Sequence, residues 1–431
     1  MLTENILDRM DKDMAIWTKC RIGDMCMTNS QSYSPKEGWT FVNYLDTGNI
    51  TKNVVDEIQY IDLACEKLPS RAKRKVQYDS VLFSTVRPNQ LHYGIIKSQP
   101  ENFLVSTGFA VLDADPKKLN PNYLYYLLSS NEIIEGLHAI AEQSVSAYPS
   151  IKPSDIENIE VDIPDLETQR KIVTILMGID EKIQINTSIN KNLEEQAVGL
   201  FRSWFSAFSL SPNSPRVNSE FGEIPEDFAV VKVGSLPMLV TDYVANGSFA
   251  SLKANVNLYQ EPNYAYFIRN TDLKSGSFGV FVDQHSYEFL SKSTLYGGEI
   301  IISNVGDVGS VFLCPKLDGR MTLGNNIIML RPEDDHLRYY LYIWFKYLQG
   351  QALIQGIKGG SAQPKFNKTD FKNTSVLIPP KDILTHFHET VAPMFETISQ
   401  RQAETSRLAD LRDTLLPQLM SGEIDVSNLD L

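Results

Sequence analysis

Two short polar stretches hold the residues whose types and spacing suit chemistry in this chain. One is Ala141–Pro149, with Gln143, Ser144, Ser146 and Tyr148, followed by Lys152. The other is Lys358–Pro364, with Gly360, Ser361 and Gln363, followed by Lys365 and Lys368. Amide, hydroxyl and ammonium groups on a loop tip suit hydrogen bonding to base edges and phosphates. Polar loops are also ordinary solvated surface, so residue type alone decides nothing. Placement adds the second argument. Ser146-Ala147-Tyr148-Pro149 matches Ser361-Ala362-Gln363-Pro364 at an offset of 215 residues, and each stretch leads back into a strand-like segment.

Other chemistry is scarce. There is no G-x-x-x-x-G-K-[ST] and no G-x-G-x-x-G after a strand. The six histidines make no H-x-x-x-H or H-E-x-x-H pair, and His386 and His388 fall on different faces of a helix. Cys20, Cys26, Cys65 and Cys314 lack C-x-x-C spacing. That excludes a zinc site and a disulfide framework, and implies reduced, cytoplasmic thiols. Asn120-Pro121-Asn122-Tyr123 resembles an amino-methyltransferase loop but lacks the second proline, and reads better as a capped helix start. No metal site and no cofactor is expected.

Long helices must position the loops. Leu166–Phe205 carries an apolar seam at Ile172, Leu176, Ile179 and Ile183, then Asn186 and Asn190, then Leu193, Ala197 and Leu200. This is heptad spacing with a polar break at mid-length. Such a rod needs a partner along its seam. Adding 215 gives one: Phe387, Val391, Met394, Ile398, then Arg401 and Thr405, then Leu408, Arg412 and Leu415. The second rod, Asp382–Met420, holds Pro393, which predicts a kink or a late start, and Arg412 stands where the first copy has Ala197 and weakens the seam there.

The repeat extends upstream. Val81–Ser84 pairs with Ile300–Ser303, and Arg21-Ile22-Gly23 with Lys232-Val233-Gly234. The expected fold is α+β: two similar mixed α/β globular domains separated by two long helices. Those helices form an intramolecular antiparallel coiled coil, a tandem duplication with pseudo-two-fold symmetry. The boundaries are 1–163, first globular part; 164–208, first spacer helix; 209–378, linker and second globular part; 379–422, second spacer helix; 423–431, tail. Within these, the reading places helices at Tyr123–Leu137 and His336–Ile357 and in the first dozen residues. It places a strand at Thr322–Leu330 and a polar linker at Ser209–Glu220.

Composition is consistent with two cores. Hydrophobic residues make up 42% of 431. No apolar run approaches the length of a membrane span, so no membrane is expected as a partner. The net charge of −13 argues against a self-sufficient nucleic-acid binder, and a partner subunit supplying positive charge would resolve that.

The chain resembles the specificity subunit of Type I restriction–modification systems. The matching motifs are Ile163-Pro164-Asp165-Leu166-Glu167-Thr168-Gln169-Arg170, Leu193–Ala197 with Phe201–Phe205, Phe221–Pro225, and Leu411–Ile424. The resemblance covers the whole chain, although Lys381-Asp382-Ile383-Leu384 lacks the acidic-glutamine pattern of the first copy. It implies two target recognition domains, each reading one half of a split site on double-stranded DNA. The helices would set the spacing and dock two modification subunits, with restriction subunits as further partners. It also implies no catalytic residue here. The DNA-contacting candidates are then the loop residues named above. The helix-pairing candidates are Ile172, Leu176, Ile179, Ile183, Asn186, Leu193, Ile398, Leu408 and Leu415. The rival from another class is a non-catalytic two-headed adaptor that binds proteins.

Two outcomes test this. The purified chain is expected to show no methyltransferase, nuclease or ATPase activity, and methyl transfer by the chain alone would overturn that. The rods, about 60 Å long at 1.5 Å per residue, are expected to act as a ruler between half-sites. Seven residues inserted into each at matched heights should lengthen the unspecified spacer by about three base pairs and leave the half-sites unchanged. An unchanged spacer in a variant that folds and assembles would refute it.

Overall fold

The computed structural model describes residues 17–144, 148–360 and 363–430. The helix expected in the first dozen residues lies outside them. The chain divides into two compact units, Met1–Glu181 with Leu408–Leu431, and Lys182–Arg407. Each unit therefore contains one globular head and a part of both rods.

The first rod is the α-helix Leu166–Phe201, and its last turn widens into a π-helical turn, Arg202–Ser206. Asp165 caps it, accepting from the backbone N–H of Glu167 at 2.9 Å and of Thr168 at 3.0 Å. Partial burial works against the Asp165 charge, but these bonds and the Thr168 hydroxyl prevail and hold its carboxyl below the ordinary range. The second rod is the α-helix Lys381–Met420. It starts on time and runs through Pro393 without a break. The proline forgoes one ladder bond, and tertiary packing on either side, at buried Val391 and Phe395, outweighs that loss.

Every seam position is buried or half-buried. In the first unit, Ile172, Val173 and Leu176 share a core with Leu416, Leu419 and Met420. In the second unit, Ala197, Val198 and Phe201 share a core with Leu384, Phe387 and Val391. The beginning of one rod thus meets the end of the other, an antiparallel pairing. At the polar break, Arg401 Nη1 donates to Asn186 Oδ1 at 2.8 Å, and Asn186 Nδ2 donates to Glu404 at 2.8 Å. Asn186 is completely buried. Arg412, expected to weaken the seam, does not. It donates to Asp180 at 2.8 Å, and Tyr126 of the first head donates to the same carboxylate at 2.6 Å. The second head has its own version, with Tyr342 and Lys346 both on Glu194 at 2.6 Å. Burial, and then the adjacent carboxylate, pushes the Tyr126 and Tyr342 hydroxyls far above their ordinary range. They stay neutral donors.

One sheet repeats strand for strand between the heads, and the other shares its central parallel pair. In the first, one sheet runs Cys26–Thr28, Phe109–Ala114, Val81–Ser84, Tyr93–Ile95. In the second, the matching order is Met238–Asp242, Ile327–Pro332, Ile300–Ser303, Val311–Leu313. The other sheet holds the parallel pair, Phe41–Leu45 with Phe103–Ser106 in one head and Ala265–Ile268 with Arg320–Leu323 in the other. Each head closes by pairing its entry strand with its exit strand: Thr18–Arg21 with Glu160–Ile163, and Ala229–Lys232 with Ser375–Ile378. This places each exit strand directly before its rod.

Four segments differ from the sequence-based expectation. Tyr123–Leu137 is two helices, Pro121–Ser129 and Asn131–Glu142, split at Ser130, whose extended backbone turns the chain. His336–Ile357 splits likewise into His336–Lys346 and Leu348–Gly356 at extended Tyr347. Gly350 lets the second piece pack back, since a Cβ there would lie 2.1 Å from the Trp344 carbonyl oxygen. Thr322–Leu330 is two strands in different sheets, separated at Gly324-Asn325-Asn326, where Asn326 has φ 65°. The polar linker is partly ordered, because Arg216–Ser219 pairs with Gly222–Pro225.

Asn186→Leu is expected to lower stability by about 1–3 kcal/mol, because Arg401 and Glu404 lose their buried partner. Adding Arg401→Leu should recover most of that loss. Urea unfolding of the single and double variants checks it. A double variant no more stable than Asn186→Leu would show that the two residues do not act as a pair.

Candidate nucleic-acid interface

Each polar loop is stitched to the loop that follows the central strand of its head. In the first head that strand is Val81–Ser84. Arg87 N donates to Pro149 O and Ile151 N to Thr85 O, both at 2.9 Å. In the second head the strand is Ile300–Ser303. Gly306 N donates to Pro364 O at 2.9 Å and Phe366 N to Asn304 O at 3.0 Å. The two bonds are the same bonds, copied. Single bridges, Val86 to Ser150 and Val305 to Lys365, lie between them. Pairing to the end of the strand fixes the returning arm of each loop, 149–151 and 364–366.

The candidate side chains fare differently. Ser146 and Ser361 lie outside the described residues. Gln143 is exposed just after its helix. Ser144 is half-buried and closes the base of its loop, its Oγ accepting from Ser150 N at 3.3 Å. Tyr148 is 60% exposed, with the Arg87 guanidinium over its ring at 5.0 Å. Lys152 is exposed, and its backbone N–H bonds Asp155 at 2.7 Å, fixing the turn into the helix Pro153–Glu157. In the second loop, Gly359 and Lys365 exchange both backbone bonds. Gly360 has φ 87°, and a Cβ there would meet Gln363 O at 2.6 Å, so the sharp turn requires glycine. Gln363 and Lys365 are exposed.

Gly360, Lys365 and Lys368 line one wall of a cleft of about 770 Å³ in the second head. Phe249, 81% exposed, and Lys253 lie on its lining with Asn304, Asn326 and Asn367. Asn304 Nδ2 donates to Phe366 O at 3.3 Å, while its Oδ1 has no partner among the described residues. Lys368 Nζ sits 3.0 Å from Asp242 Oδ1, an acid nearly buried in the cleft floor. The cleft thus offers amides, ammonium groups and the exposed ring of Phe249. The basic run Arg71–Lys75 of the first head is less free. Lys75 pairs with Glu37 and lies over the Trp39 ring. Burial lowers the Arg74 guanidinium below its usual range.

Set against known proteins, the duplicated heads have a clear match. A family model for the type I restriction modification DNA specificity domain fits residues 14–195 and again residues 225–403. The chain belongs to this family. It is 26% identical over 470 residues to the type I restriction enzyme HindI specificity subunit of Haemophilus influenzae, covering 95% of this chain and 100% of that one. It is 29% identical over 318 residues to the MjaIX specificity subunit of Methanocaldococcus jannaschii, covering 71% and 70%. The crystal structure of the type I restriction–modification S subunit from M. genitalium shares the fold, with a TM-score of 0.54 at 17% identity over 94% of this chain and 96% of that one.

Membership of the specificity-domain family gives the rod motif a structural meaning. Gln169, almost fully buried, accepts from Asn120 N at 2.8 Å and donates to Pro164 O at 2.9 Å and Lys118 O at 3.2 Å. It clamps the first head to the start of its rod. Leu384 stands at the matching place in the second copy and is buried in an apolar core instead. Sequence reasoning missed Arg87, Asn304, Phe249 and Asp242. The shared offset of Val81–Ser84 and Ile300–Ser303 aligned Arg87 with Gly306, but nothing linear showed that these loops meet the polar ones.

Proposed function

We propose that each head reads one half of a bipartite DNA site through the edge formed by its stitched loops. On this reading the chain is the non-catalytic specificity subunit of a type I restriction–modification complex. The observation that supports this best is the copied loop anchoring with dissimilar tips. The same backbone bonds present Gln143 and Tyr148 in one head, and Gln363 and Lys365 in the other. Common anchoring with different side chains is what two half-sites of different sequence require. Two modification subunits on the rods would supply methyl transfer and the positive charge that a chain of net charge −13 lacks, and restriction subunits would join them. The adaptor alternative is not favoured, because the curated relatives this chain resembles are named specificity subunits of type I restriction enzymes. Among the described residues no helix is long and apolar enough to cross a membrane.

Lys368→Ala tests the cleft. It leaves Asp242 unpaired in the cleft, where its charge would repel DNA phosphates, so the assembled complex should lose about tenfold in affinity for its site. Asp242→Asn on the same background should restore most of it. Titration of labelled duplex at two salt concentrations checks both. Unchanged affinity in Lys368→Ala, or no recovery in the double variant, would remove the cleft from the interface.

A further inference from the structure

Arg87 and Gly306 occupy one position in the two copies, donating the same backbone bond to Pro149 and to Pro364. Both are left-handed, Gly306 at φ 76° and Arg87 at φ 47°, ψ 70°. Glycine adopts this conformation freely, whereas an arginine there is strained by its Cβ. The stitched loop imposes the conformation, and the first head carries a large side chain where the fold asks for none. Strained non-glycine backbone of this kind is concentrated at functional sites.

The side chain is also arranged. The guanidinium lies over the Tyr148 ring at 5.0 Å, and the ring is 60% exposed at the loop tip. Among the described residues no carboxylate forms an ion pair with Arg87. Stacking on an aromatic ring restricts a long flexible side chain while leaving the forked N–H edge for another partner. That edge consists only of donors, in a planar fork. It matches two adjacent acceptors, and in the major groove only guanine offers such a pair, N7 and O6.

We propose that Arg87, backed by Tyr148, reads a guanine in the half-site recognised by the first head. The second head, with Gly306, has no equivalent and reads its half-site by other groups. This rests on the DNA-reading function proposed above.

The test uses the full chain assembled with its modification subunits, and duplexes substituted one base pair at a time across both half-sites. Arg87→Gly should keep or raise the melting temperature of the free chain, since the strain is relieved. In the complex it should erase discrimination at one guanine position of one half-site, by about 10- to 100-fold, and leave the other half-site unchanged. Arg87→Lys should retain much of the affinity but lose the same discrimination. Three results would overturn the proposal. Arg87→Gly could weaken all sequences equally with a shallower salt dependence, the mark of a phosphate contact. It could leave the preference intact, or it could unfold the first head, the mark of a structural arginine. A wild-type complex without any bipartite preference would instead refute the parent function.

Discussion

Arg401 and Asn186 are separated by 215 residues, the interval between the two copies of the duplicated chain. The contact therefore joins one ancestral position to its own duplicate. In an antiparallel pair this happens only where the two rods pass each other at the same height of the repeat. Moving along the second unit from that point, Phe201 meets Phe387 at 6.0 Å, so the separation shrinks as antiparallel pairing demands. The polar contact fixes the register. A slip by one heptad would put completely buried Asn186 against Met394 or Leu408, with no acceptor for Arg401. The surroundings are not fully satisfied, since Asn190 Oδ1, Arg401 Nε and Thr405 Oγ1 have no partner among the described residues. A site of this polarity suits ordered water. The apolar stretches on either side provide the stabilisation, and the crossing provides specificity.

How the heads attach to the rods follows from the same duplication, altered afterwards. In both, a tyrosine on the helix after the central sheet donates to a rod carboxylate that also holds a cation. The first head uses Tyr126, Asp180 and Arg412. The second uses Tyr342, Glu194 and Lys346. The tyrosine is the constant. The cation comes from the opposite rod in one unit and from the head itself in the other. An aromatic cluster of Phe201, Phe205, Tyr340 and Phe387 reinforces the second attachment, whereas the Gln169 clamp reinforces the first.

The rods were legible because a seven-residue period is local and survives at any tertiary context. Arg412 departs from the apolar pattern because a paired charge fills a seam position as well as an apolar side chain does. Its partner Asp180 lies outside the seam pattern. The heads were legible as repeats but not as topology. Their strands are short and pair across long separations, such as Thr18–Arg21 with Glu160–Ile163. The long-helix expectations failed at Ser130 and Tyr347, where one extended residue breaks a pattern whose period otherwise continues. For the candidate interface, the sequence located the loops and missed what anchors them. Ser144 and Lys152 suit DNA contact by type, and nothing in their types shows that Ser144 Oγ and the Lys152 backbone also close turns. Arg87 could not be singled out, since only its backbone angle and its neighbour Tyr148 mark it.

The first unit is discontinuous, and its final pieces are Leu408–Leu431. Lys171 bonds Ser427 O at 2.5 Å, Val426 is buried, and Gly422 lies against Trp17, where any Cβ would come within 2.8 Å. The second unit, Lys182–Arg407, is continuous. On the ribosome, the earlier-made head therefore waits. Its sheets can form early, but the apolar stripe of Ile172 and Leu176 stays uncovered until residues 408–431 have emerged. The later-made unit can close first, as soon as Arg407 clears the exit tunnel. Its closure shortens the search of residues 408–431 for that stripe, since the loop left to close is smaller. Order of synthesis and order of completion are inverted in this chain.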